Sequence, residues 1–94
     1  MMRDFADKET ERLFQGRRSR RFSPKIQPRA AVLLAIMDAV AHWTELRAPP
    51  GNQLHALSGD RAGQYAIRVN RQWRIAFTPN DDGSMSDVEV TDYH

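Results

Sequence analysis
"QYAIRVNRQWRIAF" occupies residues 64–77, and its pattern decides the fold. Tyr65, Ile67 and Val69 alternate with Ala66 and Arg68. Trp73, Ile75 and Phe77 then alternate with Arg74 and Ala76. A period of two marks half-buried strands, and "NRQ" at 70–72 is the turn between them. The two apolar faces must lie on one side of the sheet. Setting Val69 opposite Trp73 achieves this with a three-residue loop, a common hairpin length. Ile67 then faces Ile75, and Tyr65 faces Phe77. A two-residue loop at Asn70–Arg71 would instead oppose Ile67 to Arg74. The preferred register places Arg68 across from Arg74 on the other face. Like charges directly across a ladder destabilise it. An anion held between them, or splaying of both into water, would relieve the repulsion.

Reading outward, "DVEV" at 87–90 gives a further strand after the turn "PNDDGS" at 79–84. Val88, Val90 and Asp92 share one side of it, with His94 next in phase and Tyr93 opposite. A twist or bulge is expected near Thr91. Upstream, a short strand is expected around Arg3–Phe5. A helix follows from Asp7 to Gln15, capped by Asp7 and ended by Gly16. Residues 16–28 hold Gly16, Ser19, Ser23, Pro24 and Pro28 among arginines and read as a loop, expected to be mobile. Pro28 suits the first turn of a second helix. Ala30, Leu33, Leu34, Met37, Val40 and Ala41 form its buried stripe, which runs to about Trp43 before "APPGN" at 48–52 breaks it. Helices followed by hairpin-linked strands make an α+β fold: two N-terminal helices on a small twisted antiparallel sheet. A chain of 94 residues is expected to form one domain over 1–94.

The net charge is only +2, but it is unevenly spread. Residues 17–29 carry Arg17, Arg18, Arg20, Arg21, Lys25 and Arg29 without an acid, whereas residues 79–94 carry five acids without Lys or Arg. Arginine outnumbers lysine 12 to 2, and its planar fork of donors suits phosphate. A solvated basic loop is the plainer reading of the 17–29 run. The chain has no cysteine, which excludes disulfides and thiolate chemistry. "SRRF" at 19–22 precedes the apolar run "AAVLLAIM" at 30–37, but eight residues cannot span a bilayer, which takes about 20. No signal peptide or membrane segment is expected, and the cytoplasm is the expected location. Three histidines without HxxxH or HxH spacing make no metal site, and no phosphate-cradling glycine loop is present.

"LHALSGDRAGQYAIRVNRQWRIAF" at 54–77, together with "LRAPPGN" at 46–52 and "DYH" at 92–94, resembles the HigB-type toxins of bacterial toxin–antitoxin modules, within the RelE/ParE-like superfamily. The resemblance implies an α+β toxin that cleaves mRNA in the ribosomal A site without metal or other cofactor. It further implies inhibition by a helix-turn-helix, HigA-like antitoxin, through which the toxin meets operator DNA indirectly. The active surface it implies comprises His55, Arg74, Asp92, Tyr93 and His94. Many relatives carry a lysine in "HPLKG" where this chain has Ser58. Arg61 or Arg68 would supply the missing charge, and Arg71 would add a phosphate contact. Arg17, Arg18, Arg20 and Arg21 are expected to contact the ribosome or the antitoxin. A gyrase-poisoning toxin of the ParE kind, acting by binding, is the alternative on the same fold. A non-catalytic nucleic-acid-binding protein built on the basic loop is a third.

The residue types suit this chemistry. Metal-free RNA cleavage uses the 2′-hydroxyl as nucleophile. It needs a base for that proton, an acid for the departing 5′-oxygen, and cations around the phosphorane-like transition state. Histidine ordinarily titrates near 6.5 and serves as either acid or base. Arginine stays protonated and acts as a clamp. At the chain end, His94 would sit beside its own α-carboxylate, which favours the imidazolium form and an acid or clamp role. Which of His55 and His94 is acid and which is base stays open. Asp92 reads as orienting an imidazole or guanidinium, and Tyr93 as stacking on a base. His42, on the expected second helix, reads as a surface or partly packed side chain.

Overall fold
A computed structural model describes residues 1–92; Tyr93 and His94 lie outside the described residues. Helices α1 (Lys8–Phe14) and α2 (Gln27–Ala39) precede strands β1 (His55–Ala56), β2 (Tyr65–Arg68), β3 (Trp73–Pro79) and β4 (Met85–Asp92). The strands form one antiparallel sheet in the order β1-β2-β3-β4. The β2–β3 hairpin has the expected register, with Tyr65 opposite Phe77, Ile67 opposite Ile75 and Arg68 opposite Arg74. Val69 and Trp73 close the three-residue loop, where Asn70 Oδ1 accepts from Gln72 N and Trp73 N at 2.9 and 2.8 Å.

The first helix begins as its sequence dictates. Asp7 Oδ1 accepts from Thr10 N at 2.7 Å, and Gly16, at φ 78°, follows the last turn. Thr10 is fully buried, and its Oγ1 accepts from Val90 N at 3.0 Å, tying α1 to β4. Residues 1–6 run parallel to β4 through bridges at Met2–Met85 and Phe5–Val88, which covers that edge strand. The buried face of α2, formed by Ala30, Leu33, Leu34 and Met37, meets Ile67, Ile75, Phe77, Val88 and Val90 on one side of the sheet.

Three expectations need correction. The second helix stops at Ala39 rather than near Trp43, and Ala41 is exposed instead of part of the stripe. Val40 is extended, and His42 starts a new 3-10 turn over Trp43–Arg47. There the Glu45 carboxylate accepts from His42 N at 2.8 Å, while His42 Nδ1 accepts from Thr44 N at 3.3 Å. His42 thus caps this turn instead of lying on α2, and it is partly packed, its ring stacked on Trp43. Trp43 N donates to Gly83 O at 2.9 Å, and the Trp43 ring packs 4.7 Å from Tyr65. These tertiary contacts outweigh the helical periodicity. The irregularity of β4 falls near Asp87 rather than Thr91: register shifts between Ala76/Glu89 and Thr78/Ser86. Asp87 sits at φ 52°, with its N donating to Asp4 Oδ1 at 2.6 Å. Aspartate tolerates this conformation better than most residues. The extra residue lets Met85 and Val88 both face the core.

The 16–26 segment is anchored at its middle. Ser19 Oγ donates to Glu9 Oε1 at 2.6 Å, and Gln27 Nε2 donates to Ser19 O and Phe22 O at 2.6 and 2.8 Å. Phe22 is buried edge-on against Trp73. Arg17, Arg18 and Arg20 remain exposed.

Candidate active site
The hairpin register organises the face of the sheet turned away from the helices. One ladder row runs His55–Ala66–Ala76–Glu89, and the next, two residues along, runs Arg68–Arg74–Thr91. Strands sit about 4.8 Å apart and residues of one face about 7 Å apart along a strand, so His55 and Arg74 start within side-chain reach of a shared space. They do share one: His55, Ser58, Asp60, Arg61 and Arg74 line a concavity of about 400 Å³.

Each wall has a local cause. His55 opens β1 directly after Gln53, whose backbone is left-handed at φ 48°. The Gln53 carbonyl lies 2.7 Å from His55 Nδ1. A carbonyl only accepts, so Nδ1 carries a proton, and it is Nε2 that is left to exchange a proton with a ligand. Arg61 ends the 3-10 turn Gly59–Arg61. Its guanidinium donates to Gln64 Oε1 at 3.0 Å and to Glu89 Oε1 at 3.1 Å. Ala66 and Ala76 supply only methyl groups between β1 and β4, which leaves room for the arginine to reach across. Gln64 Nε2 also donates to Thr78 Oγ1 at 3.3 Å, so the support is a connected network.

Of the expected site residues, His55, Arg61 and Arg74 come together. Arg68 lies beside Arg74 on the same face and is half-buried. Arg71 is exposed at the hairpin tip, outside this concavity. Asp92 pairs with Trp73, in phase with Val88 and Val90 and one residue away from the Arg74 row. The roles of Tyr93 and His94 lie outside the described residues. Arg17, Arg18, Arg20 and Arg21 belong to a separate groove on the helical layer. Gln53, Gln64 and Glu89 were not foreseen. Glu89 had a signal, since it alternates with Val88 and Val90 and so faces away from the core. The Gln53 carbonyl had none, because every residue carries one. Among the described residues, no group of three or more His, Cys, Asp or Glu could hold a metal ion.

The chain matches, over residues 3–94, the family described as "RelE-like toxin of type II toxin-antitoxin system HigB". It belongs to the HigB-like toxin family. A relative, Toxin HigB-1 of Vibrio cholerae serotype O1, is 36% identical over 78 residues, 82% of each chain. Two crystal structures of YafQ from E. coli share the fold. A histidine-to-glutamine mutant aligns with a TM-score of 0.64 at 14% identity, and the protein from strain BL21(DE3) with 0.62 at 12%. Each comparison covers 99% of this chain and 94% of the other. This HigB-like protein is therefore the toxin of a type II toxin–antitoxin system, with an antitoxin as partner, built on the RelE-like α+β fold. No helix among the described residues is long and apolar enough to cross a membrane.

Proposed function
We propose that this toxin is a ribosome-dependent endoribonuclease that cuts mRNA in the A site by metal-independent acid–base catalysis. The observation that carries the reading is the concavity lined together by His55, Arg61 and Arg74, with His55 Nδ1 already engaged by the Gln53 carbonyl. His55 Nε2 accepts the proton of the 2′-hydroxyl as that oxygen attacks the adjacent phosphorus. Arg61 and Arg74 stabilise the charge that builds on the phosphoryl oxygens, with Arg61 in place of the lysine that Ser58 lacks. His94 donates a proton to the departing 5′-oxygen, which leaves a 2′,3′-cyclic phosphate and a free 5′-hydroxyl. Asp92 orients a cationic partner, and Tyr93 stacks on a base. Arg68 and Arg71 add phosphate contacts along the incoming message.

In this reading the toxin works in the cytoplasm, held in check by a helix-turn-helix antitoxin of the HigA kind that also binds operator DNA. The test is a translation reaction stalled on a defined codon, with primer extension to locate cuts. The wild-type chain should cut within the A-site codon. His55→Ala and His94→Ala should each lower the single-turnover rate by about 10²–10⁴-fold, the usual worth of one acid–base group. An intact message from folded wild-type protein, or full activity in both variants, would overturn the assignment.

A further inference from the structure
On the other side of the sheet from His55, α1, the 16–26 segment and α2 enclose a groove of about 1120 Å³. Leu13 and Phe22 are buried in its lining, Pro28 borders it, and Arg17, Arg18 and Arg20 stand exposed along its wall. Arg12 and Arg21 answer Glu9 and Asp7 at 3.8 and 3.7 Å, whereas Arg17, Arg18 and Arg20 form no ion pair among the described residues. The groove therefore presents uncompensated positive charge.

Pro28 and Ala31 lead from the groove onto the outer face of α2. Val32, Ala35, Ile36 and Ala39 recur there at i, i+3, i+4 and i+7, and all are exposed. Val32 is 59% exposed and Ile36 43%. The opposite face of α2 is the core stripe, so this helix is apolar almost all round, a pattern that belongs inside a core or an interface. Its polar side chains are already engaged within the chain. Gln27 holds the 16–26 segment, Arg29 donates to Val69 O at 2.9 Å, and Asp38 accepts from Met2 N at 3.3 Å.

We propose that this groove and the outer face of α2 form one docking surface for an amphipathic segment of the antitoxin, with its apolar side on Val32 and Ile36 and an acidic edge along Arg17, Arg18 and Arg20. The charge calls for an acidic partner. The adjoining apolar face favours protein over RNA, whose backbone has nothing to cover Val32 and Ile36. A second copy of this chain docking face to face would set arginines against arginines. The inference rests on the toxin–antitoxin pairing of the family and is independent of the nuclease reading.

The test measures the affinity of the toxin for the antitoxin encoded with it, together with hydrogen exchange of the complex. Val32→Glu, and separately the Arg17→Glu, Arg18→Glu, Arg20→Glu triple variant, should each weaken the complex by about ten-fold or more, as expected for central interface positions. His55→Ala should leave the affinity unchanged. Added salt should weaken the wild-type complex more than the triple variant, and residues 28–39 should gain protection. Each variant is checked for an unchanged thermal midpoint, and Ile36→Gln replaces Val32→Glu should that protein melt early. Full affinity in both variants, or protection confined to the sheet face, overturns the proposal. Loss of ribosome binding in the triple variant with antitoxin affinity intact would make this an RNA surface and overturn it equally. So would dimerisation of the free toxin that Val32→Glu abolishes without touching antitoxin affinity.

Discussion

At the scale of the residue, two side chains show how a few contacts set chemical character. The His55 ring is held by a backbone carbonyl two residues earlier, which accepts from Nδ1 at 2.7 Å, so chain geometry fixes which nitrogen faces the backbone. Asp82 shows the electrostatic counterpart. Its carboxylate accepts from Ser84 Oγ and N at 2.6 and 2.9 Å and from the Arg3 guanidinium, and these bonds lower its pKa to about 2. A carboxyl depressed in the folded state stabilises the fold above its unfolded pKa, near 3.9, and loses that contribution as pH falls through about 2. Asp82→Asn should therefore lower the thermal midpoint at neutral pH and flatten the decline between those two values. An acid-unfolding curve parallel to that of the wild type would contradict this. Gly83, next in the chain, has no substitute: a Cβ there would lie 2.5 Å from the His42 ring, at a backbone φ of 90°.

At the scale of the element, the β2–β3 hairpin holds both the fold and a cost to it. Arg68 and Arg74 face each other across the ladder in the register that buries Ile67 and Ile75. Repulsion between such neighbours costs about 0.2–1 kcal/mol. Arg68→Gln should raise stability by up to about 1 kcal/mol in urea unfolding. The same change should weaken RNA binding and reduce the salt slope by about one unit if Arg68 contacts a phosphate. Unchanged RNA affinity would remove Arg68 from the binding face. The hairpin register was legible in the sequence, because of the two short loops only the three-residue one puts both apolar faces on one side. The end of α2 was not. The periodicity of Val40 and Ala41 continues the helix on paper, but the bond from Trp43 N to Gly83 O and the cap made by His42 and Glu45 end it in the fold.

At the scale of the molecule, two faces differ in character. The sheet carries the concavity of His55, Arg61 and Arg74 on one side and the core on the other, while α2 separates that core from the apolar outer surface. The two faces of α2 should answer mutation differently. Leu34→Ala removes a fully buried side chain and should cost about 2–5 kcal/mol, a large share of the stability of a small domain. Val32→Glu on the exposed face should stay within about 0.5 kcal/mol in the isolated toxin. Equal losses at both positions in chemical unfolding would mean that the outer face is packed in solution.

The sequence by itself determined the class of fold, the hairpin register and the Ala30, Leu33, Leu34 and Met37 stripe of α2, because alternation and spacing are local properties of the chain. Only the tertiary structure decided that Arg61 reaches Glu89 over two alanines, that Gln53 orients His55, and that β4 bulges at Asp87 rather than near Thr91. Each of these depends on contacts between residues distant in the chain or on backbone groups common to every residue, and neither leaves a mark in the order of side chains.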